Sequence, residues 1–189
     1  MIAQLPDRSL DQLQGQWLNT VSMIDRASPD RVAPLIAFRH ALSAEWARRL
    51  ALAEQNPTAF PWPSTKAPKG KSGLDSGDWH LLGMLSYLGY RVGKTDGVSD
   101  GVRRQILDLC FDGALPPING LTYMRDWNAP GTTMRLRKLA NELASFARNG
   151  KRKRSANLSS AVADWEADLN YLYRRYYMGK FRFAWPRVD

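Results

Sequence analysis

The side chains of this sequence best suited to chemistry are cations, and they crowd one end of the chain. Asn149-Gly-Lys-Arg-Lys-Arg154-Ser carries four consecutive positive charges. Tyr171-Leu-Tyr-Arg-Arg-Tyr-Tyr-Met-Gly-Lys-Phe-Arg-Phe183-Ala-Trp185 interleaves Arg174, Arg175, Lys180 and Arg182 with aromatic rings. A third stretch, Thr132-Thr-Met-Arg-Leu-Arg-Lys138, adds Arg135, Arg137 and Lys138, with Arg148 further along the same segment. Residues 131–189 hold 13 Lys or Arg against 5 Asp or Glu, whereas residues 1–130 hold 14 against 13. Nearly all of the net charge of +9 therefore lies in the last third. Such a local excess holds polyanions by Coulomb attraction and counterion release, so a nucleic acid backbone is the expected partner.

Each stretch suggests a different contact. Lys151, Arg152, Lys153 and Arg154, placed in a short loop that Gly150 opens by ending a helix, repel one another, and a polyanion would relieve that repulsion. Contacts of this kind position a ligand without reading its sequence. Arginines mixed with Tyr, Phe and Trp suit single strands, where rings stack on unpaired bases and cations follow the phosphates. Tyr173 and Tyr176 fall on the apolar stripe of their helix, which leaves Tyr171, Tyr177 and the later rings for stacking. The Thr132 stretch opens a helix that follows a short helix and a Gly-containing turn. That is the outline of a helix-turn-helix, whose second helix offers its N-terminal side chains to the major groove. Its apolar stripe Leu136, Leu139, Ala140, Leu143 and Phe146 puts Arg135 and Lys138 on one flank, with Arg137 and Arg148 facing away from the core.

Other chemistries lack their parts. His40 and His80 sit in different segments without a carboxylate or cysteine at ligand spacing. Asp164 and Asp168 share a helix face, while Glu166 between them does not, and a solvated or Arg-paired role is expected there in preference to a metal. Gly93-Lys-Thr95 lacks the earlier glycine of a phosphate-binding loop, which would have to stand at Leu88. The single cysteine, Cys110, cannot form a disulfide within the chain and lies on a core stripe as an inert thiol. No catalytic residue, metal ligand or cofactor is assigned. The N-terminus lacks the order of a secretion signal, and no apolar run approaches the roughly 20 residues of a membrane span. A cytoplasmic setting is expected.

The elements that must position these cations follow from periodicity. Apolar residues make up 44% of the 189 residues and aromatics 11%, ample for a core. Ser9 and Gln12 form a capping box ahead of Leu10, Leu13, Trp17, Val21 and Ile24 at helical spacing. A second helix starts at Ser28-Pro29 or at Pro34 and runs to about Gln55, with the stripe Val32, Leu35, Leu42, Trp46 and Leu50. Arg39 falls in that stripe and should snorkel or meet a carboxylate. Residues 56–76 are rich in Pro, Gly, Ser and Lys and read as a linker or an ordered strap pinned by Phe60 and Trp62. The strap is preferred because Phe60-Pro-Trp62-Pro63 and Phe183-Ala-Trp185-Pro186 share an F-x-W-P pattern. Further helices are predicted from Asp78 to Gly89, from Ser99 or Asp100 to Gly113, and from Asn119 to Trp127. Two more run from Thr132 or Thr133 to Arg148 and through Leu158, Val162, Trp165, Leu169, Leu172 and Tyr176. No segment alternates with period two, so the class is all-α. It is a helical bundle with an N-terminal hairpin (1–55), a Pro-rich strap (56–76) and a basic helical core (77–189).

Gly89-Tyr90-x-Val92-Gly93, Arg103-Arg104-x-Ile106-Leu107 and Trp165-x-x-Asp168-Leu169 together resemble a pattern in small bacterial modules of mobile-element or defence loci. The resemblance implies a bacterial accessory protein and brings no catalytic residues. The reading that follows is a non-enzymatic nucleic-acid-binding protein, DNA ahead of RNA. The alternative is an adaptor whose basic face docks an acidic partner subunit and whose Trp-rich hairpin dimerises or binds a helix.

Overall fold

The computed structural model of the chain describes residues 2–24, 26–63, 65, 82–153 and 158–188. Among them there is no strand, and the class is all-α. A 3-10 turn, Ile2–Asp7, leads into α1 (Leu10–Ile24) and α2 (Pro29–Gln55). The capping box forms as its spacing requires: the Ser9 backbone N–H donates to Gln12 Oε1 at 2.9 Å, and the Gln12 N–H donates to Ser9 Oγ at 3.2 Å. Helix α2 starts at Pro29 and continues through Pro34, so a proline interrupts its second turn without ending it. Glu45, buried, accepts from Arg48 and Arg49, and Arg49 also donates to the carbonyls of Leu5, Pro6 and Arg8. One guanidinium thereby ties the open end of the first turn to α2.

The predicted helix from Asp78 to Gly89 is shorter over the described residues. Only Met84–Tyr87 (α3) is helical, and Gly83 is extended. Leu82 explains the difference, because its N–H donates to Thr65 O at 2.7 Å and its carbonyl accepts from Asn119 at 2.9 Å. Neither group is left for a helix. His80 lies outside the described residues. Of residues 56–76, 56–63 and 65 are described: Phe60 and Trp62 meet edge to face at 4.9 Å against the core, and Thr65 is buried.

Beyond α3 come α4 (Asp100–Asp112), capped by Ser99, then α5 (Leu121–Trp127), α6 (Thr133–Arg152), capped by Thr132, and α7 (Ser159–Leu172). A π-helical turn, Tyr173–Tyr177, closes with Met178 N–H donating to Tyr173 O at 2.9 Å. Helices α6 and α7 form the largest helix pair. Helix α6 does not stop at Gly150. That glycine is buried inside the helix, where a Cβ would lie 2.8 Å from Val162 Cγ2 and 3.0 Å from Trp165 Cζ3. It is a contact residue between helices, not a cap.

One core joins the hairpin to the later helices. Trp17 and Trp46 are fully buried with ring centroids 5.6 Å apart, and Trp17 Nε1 donates to Leu88 O at 3.0 Å. The two rings that an adaptor would present to a partner are inside. Arg39 neither snorkels nor meets a carboxylate. It lies over the Trp17 ring at 4.7 Å and donates to Gln105 Oε1 and to the Gln105 carbonyl. Burial pushes its pKa down to about 10.

Candidate nucleic-acid interface

The cations named from the sequence divide into three groups. Arg135 is not on the surface: it is 4% exposed, and its guanidinium donates to Asn128 O at 3.0 Å and Cys110 O at 3.0 Å beside the Trp127 ring. The loss of solvent pushes its pKa down to about 10. Its place at a groove-reading helix N-terminus is thus overturned, because the carbonyls that end α4 and α5 draw it inward. Lys138 is half-buried over Trp127 and paired with Glu142 at 3.4 Å, which partly neutralises it. Arg154 lies outside the described residues.

A second group gathers along α6 and the chain end. Arg137, Arg148 and Lys151 stand eleven and fourteen positions apart, which returns them to one side of the helix. Arg148 donates to Arg187 O at 2.9 Å, and Lys151 to Val188 O at 2.5 Å as well as to Glu166 at 2.8 Å. The tail after the π-turn is held at its other end by rings. Trp185 meets Tyr173 at 5.4 Å and Tyr177 at 4.7 Å, Phe183 meets Tyr177 at 4.9 Å, and Tyr177 donates to Phe183 O. Lys180 and Arg182 of this tail are exposed. Arg152 and Lys153 are exposed at the end of α6, so these charges cap a helix C-terminus and are not set in a loop. Of this group, Arg137, Arg148, Arg152, Lys153, Lys180 and Arg182 make no ion pair among the described residues.

The rings considered for base stacking are engaged within the fold. Tyr176 is buried, Tyr173 and Tyr177 stack at 5.2 Å, and Tyr171 donates to Asp108 at 2.7 Å. Arg174 and Arg175 form the third group, on the exposed side of the last turns of α7 and the π-turn, beside Arg104 of α4.

Sequence reasoning missed the polar cluster beneath this surface. Asp168 is 1% exposed and accepts from Tyr90 Oη at 2.6 Å and Arg103 Nε at 2.7 Å. Asp164 accepts from Gly93 N at 2.8 Å and pairs with Arg103 at 3.1 Å. Burial raises the Asp168 pKa, against the pull of its Tyr90 and Arg103 hydrogen bonds. Of the solvated and Arg-paired roles expected for these two carboxylates, Arg pairing is the one present, through Arg103. Tyr90, Arg103 and Asp168 meet in one clasp joining the 89–99 loop and α4 to α7. Among the described residues, no helix is long and apolar enough to cross a membrane. No protein family matches the sequence, and no curated protein or solved structure is similar to it.

Proposed function

We propose that the protein is a non-enzymatic nucleic-acid-binding module that neutralises the phosphates of DNA, ahead of RNA, with a basic ridge made by α6 and the C-terminal tail. The observation that carries this reading is the docking of the tail. Arg148 and Lys151 grip the Arg187 and Val188 carbonyls, so cations distant in sequence run side by side, and most of them lack an acidic partner. Uncompensated charge of one sign on a ridge raises the local potential and favours a polyanion over scattered counterions. With Arg135 withdrawn into the core, the contacts fall on phosphates, and binding is sequence-tolerant.

A mobility-shift series with a 20-base-pair duplex tests the reading, comparing the native chain with Arg148→Gln/Arg152→Gln/Lys153→Gln. The variant should lose binding about uniformly across duplex sequences. Equal binding by both proteins would remove the ridge from the mechanism.

A further inference from the structure

Between α4 and α7 lies an open groove of about 630 Å³ lined by Arg104, Ala167, Asn170, Tyr171, Arg174 and Arg175. Each of its three arginines is held by the protein at one edge. Arg175 Nε donates to Tyr176 Oη at 3.1 Å and lies 3.3 Å from Asp108, and Arg174 Nε donates to Asn170 Oδ1 at 3.2 Å. Arg104 pairs through one terminal nitrogen with Asp100 at 3.0 Å and lies 5.3 Å from the Tyr171 ring centre. Asp108, which also accepts from Tyr171 and Tyr176 at 2.7 Å each, is the anchor of this wall. Both are held through Nε, and their terminal nitrogens make no hydrogen bond or ion pair among the described residues, so those forks stand open. Ordered guanidinium forks match the paired oxygens of a phosphate, and fixing them beforehand lowers the entropy lost on binding.

Charge and ring contacts narrow the ligand. Three arginines against Asp100 and Asp108 leave a surplus of one, which suits the single charge of a phosphodiester better than the double charge of a phosphomonoester. Tyr171 has Arg104 and Arg175 against its ring, at 5.3 and 5.8 Å, so a base finds no open platform there. We infer that the groove is a second anion site, which seats one phosphodiester of a single strand and ignores the attached bases. Its ligand class rests on the nucleic-acid reading above, whereas its residues are separate from the ridge.

The test is fluorescence anisotropy of labelled hexathymidylate and hexaadenylate with the native chain, Arg104→Gln and Arg174→Gln. Arg104 and Arg174 are exposed, and thermal unfolding of each variant checks that the fold is kept. Each variant should bind both strands about tenfold more weakly, with the salt slope flatter by about 0.7. The two strands should bind alike, and duplex binding through the ridge should be unchanged. Displacement of the labelled strand by cyclic AMP at concentrations far below those needed of unlabelled strand would move the site from a strand to a small cyclic nucleotide and overturn the strand assignment. Unaltered hexanucleotide binding in both variants, or a clear preference between the two strands, would overturn the groove itself. Loss of hexanucleotide binding in Arg104→Gln beside salt-insensitive duplex binding would sink the ridge and leave the groove standing.

Discussion

Two arginines two positions apart have opposite destinies. Arg135 serves the fold by satisfying Asn128 and Cys110 carbonyls, while Arg137 stands in solvent. Arg135→Met should cost about 2 kcal/mol in chemical denaturation, the worth of charge-assisted hydrogen bonds lost in a buried site, and leave the salt dependence of DNA binding alone. Arg137→Gln should cost under about 0.5 kcal/mol of stability and flatten the salt slope by about 1. Equal stability losses for the two would refute this division. Glu45 offers a pH test. Its hydrogen bond from Arg48 chiefly, with Arg49 adding, holds its pKa below the usual carboxylate value. The sign follows: its contribution is present above the ordinary glutamate pKa and disappears as pH falls through the lowered folded value. Glu45→Gln should therefore cost about 1–2 kcal/mol at pH 7. The gap to the native chain should close as pH falls below the ordinary glutamate pKa, and a gap that stays constant on acidification would contradict the assignment.

At the scale of elements, three helix starts were legible because their caps are local. Ser9 with Gln12, Ser99 and Thr132 each bond a backbone N–H within three residues, so their spacing carries the signal. Ends and buried polar residues were less legible, since they depend on partners far along the chain. Gly150 has the form of a stop signal, yet its purpose is to let Val162 and Trp165 approach α6, which only the paired helix reveals. In the same way Asp168 replaces an apolar residue on the inner face of α7 because Tyr90 and Arg103, more than sixty residues away, receive it. Gly150→Ala separates the two roles. Alanine is the better helix former by about 1 kcal/mol. The overlap with Val162 should outweigh that gain, giving a net loss of about 1–2 kcal/mol in thermal or urea unfolding. A more stable variant would mean that α6 and α7 are not in such close contact.

Over the whole molecule, the asymmetry of charge read from the sequence persists in space but in two places. The ridge joins α6 to the tail, and the groove joins α4 to α7. Arg104, part of the groove, was not singled out as a binding cation because the Arg103-Arg104 pair stands alone among uncharged and acidic residues. The aromatic residues that suggested stacking instead hold the tail, which carries the exposed Lys180 and Arg182 and whose end Arg148 grips. Binding energy should accordingly come from counterion release with little base readout. The most direct measurement is the affinity for a duplex across salt concentrations from about 50 to 200 mM. If Arg137, Arg148, Arg152, Lys153, Lys180 and Arg182 each meet one phosphate, log K falls against log salt with a slope near −5, and near −3 once Arg148, Arg152 and Lys153 are changed to Gln. A slope near zero for the native chain, or one identical in the variant, would contradict the account.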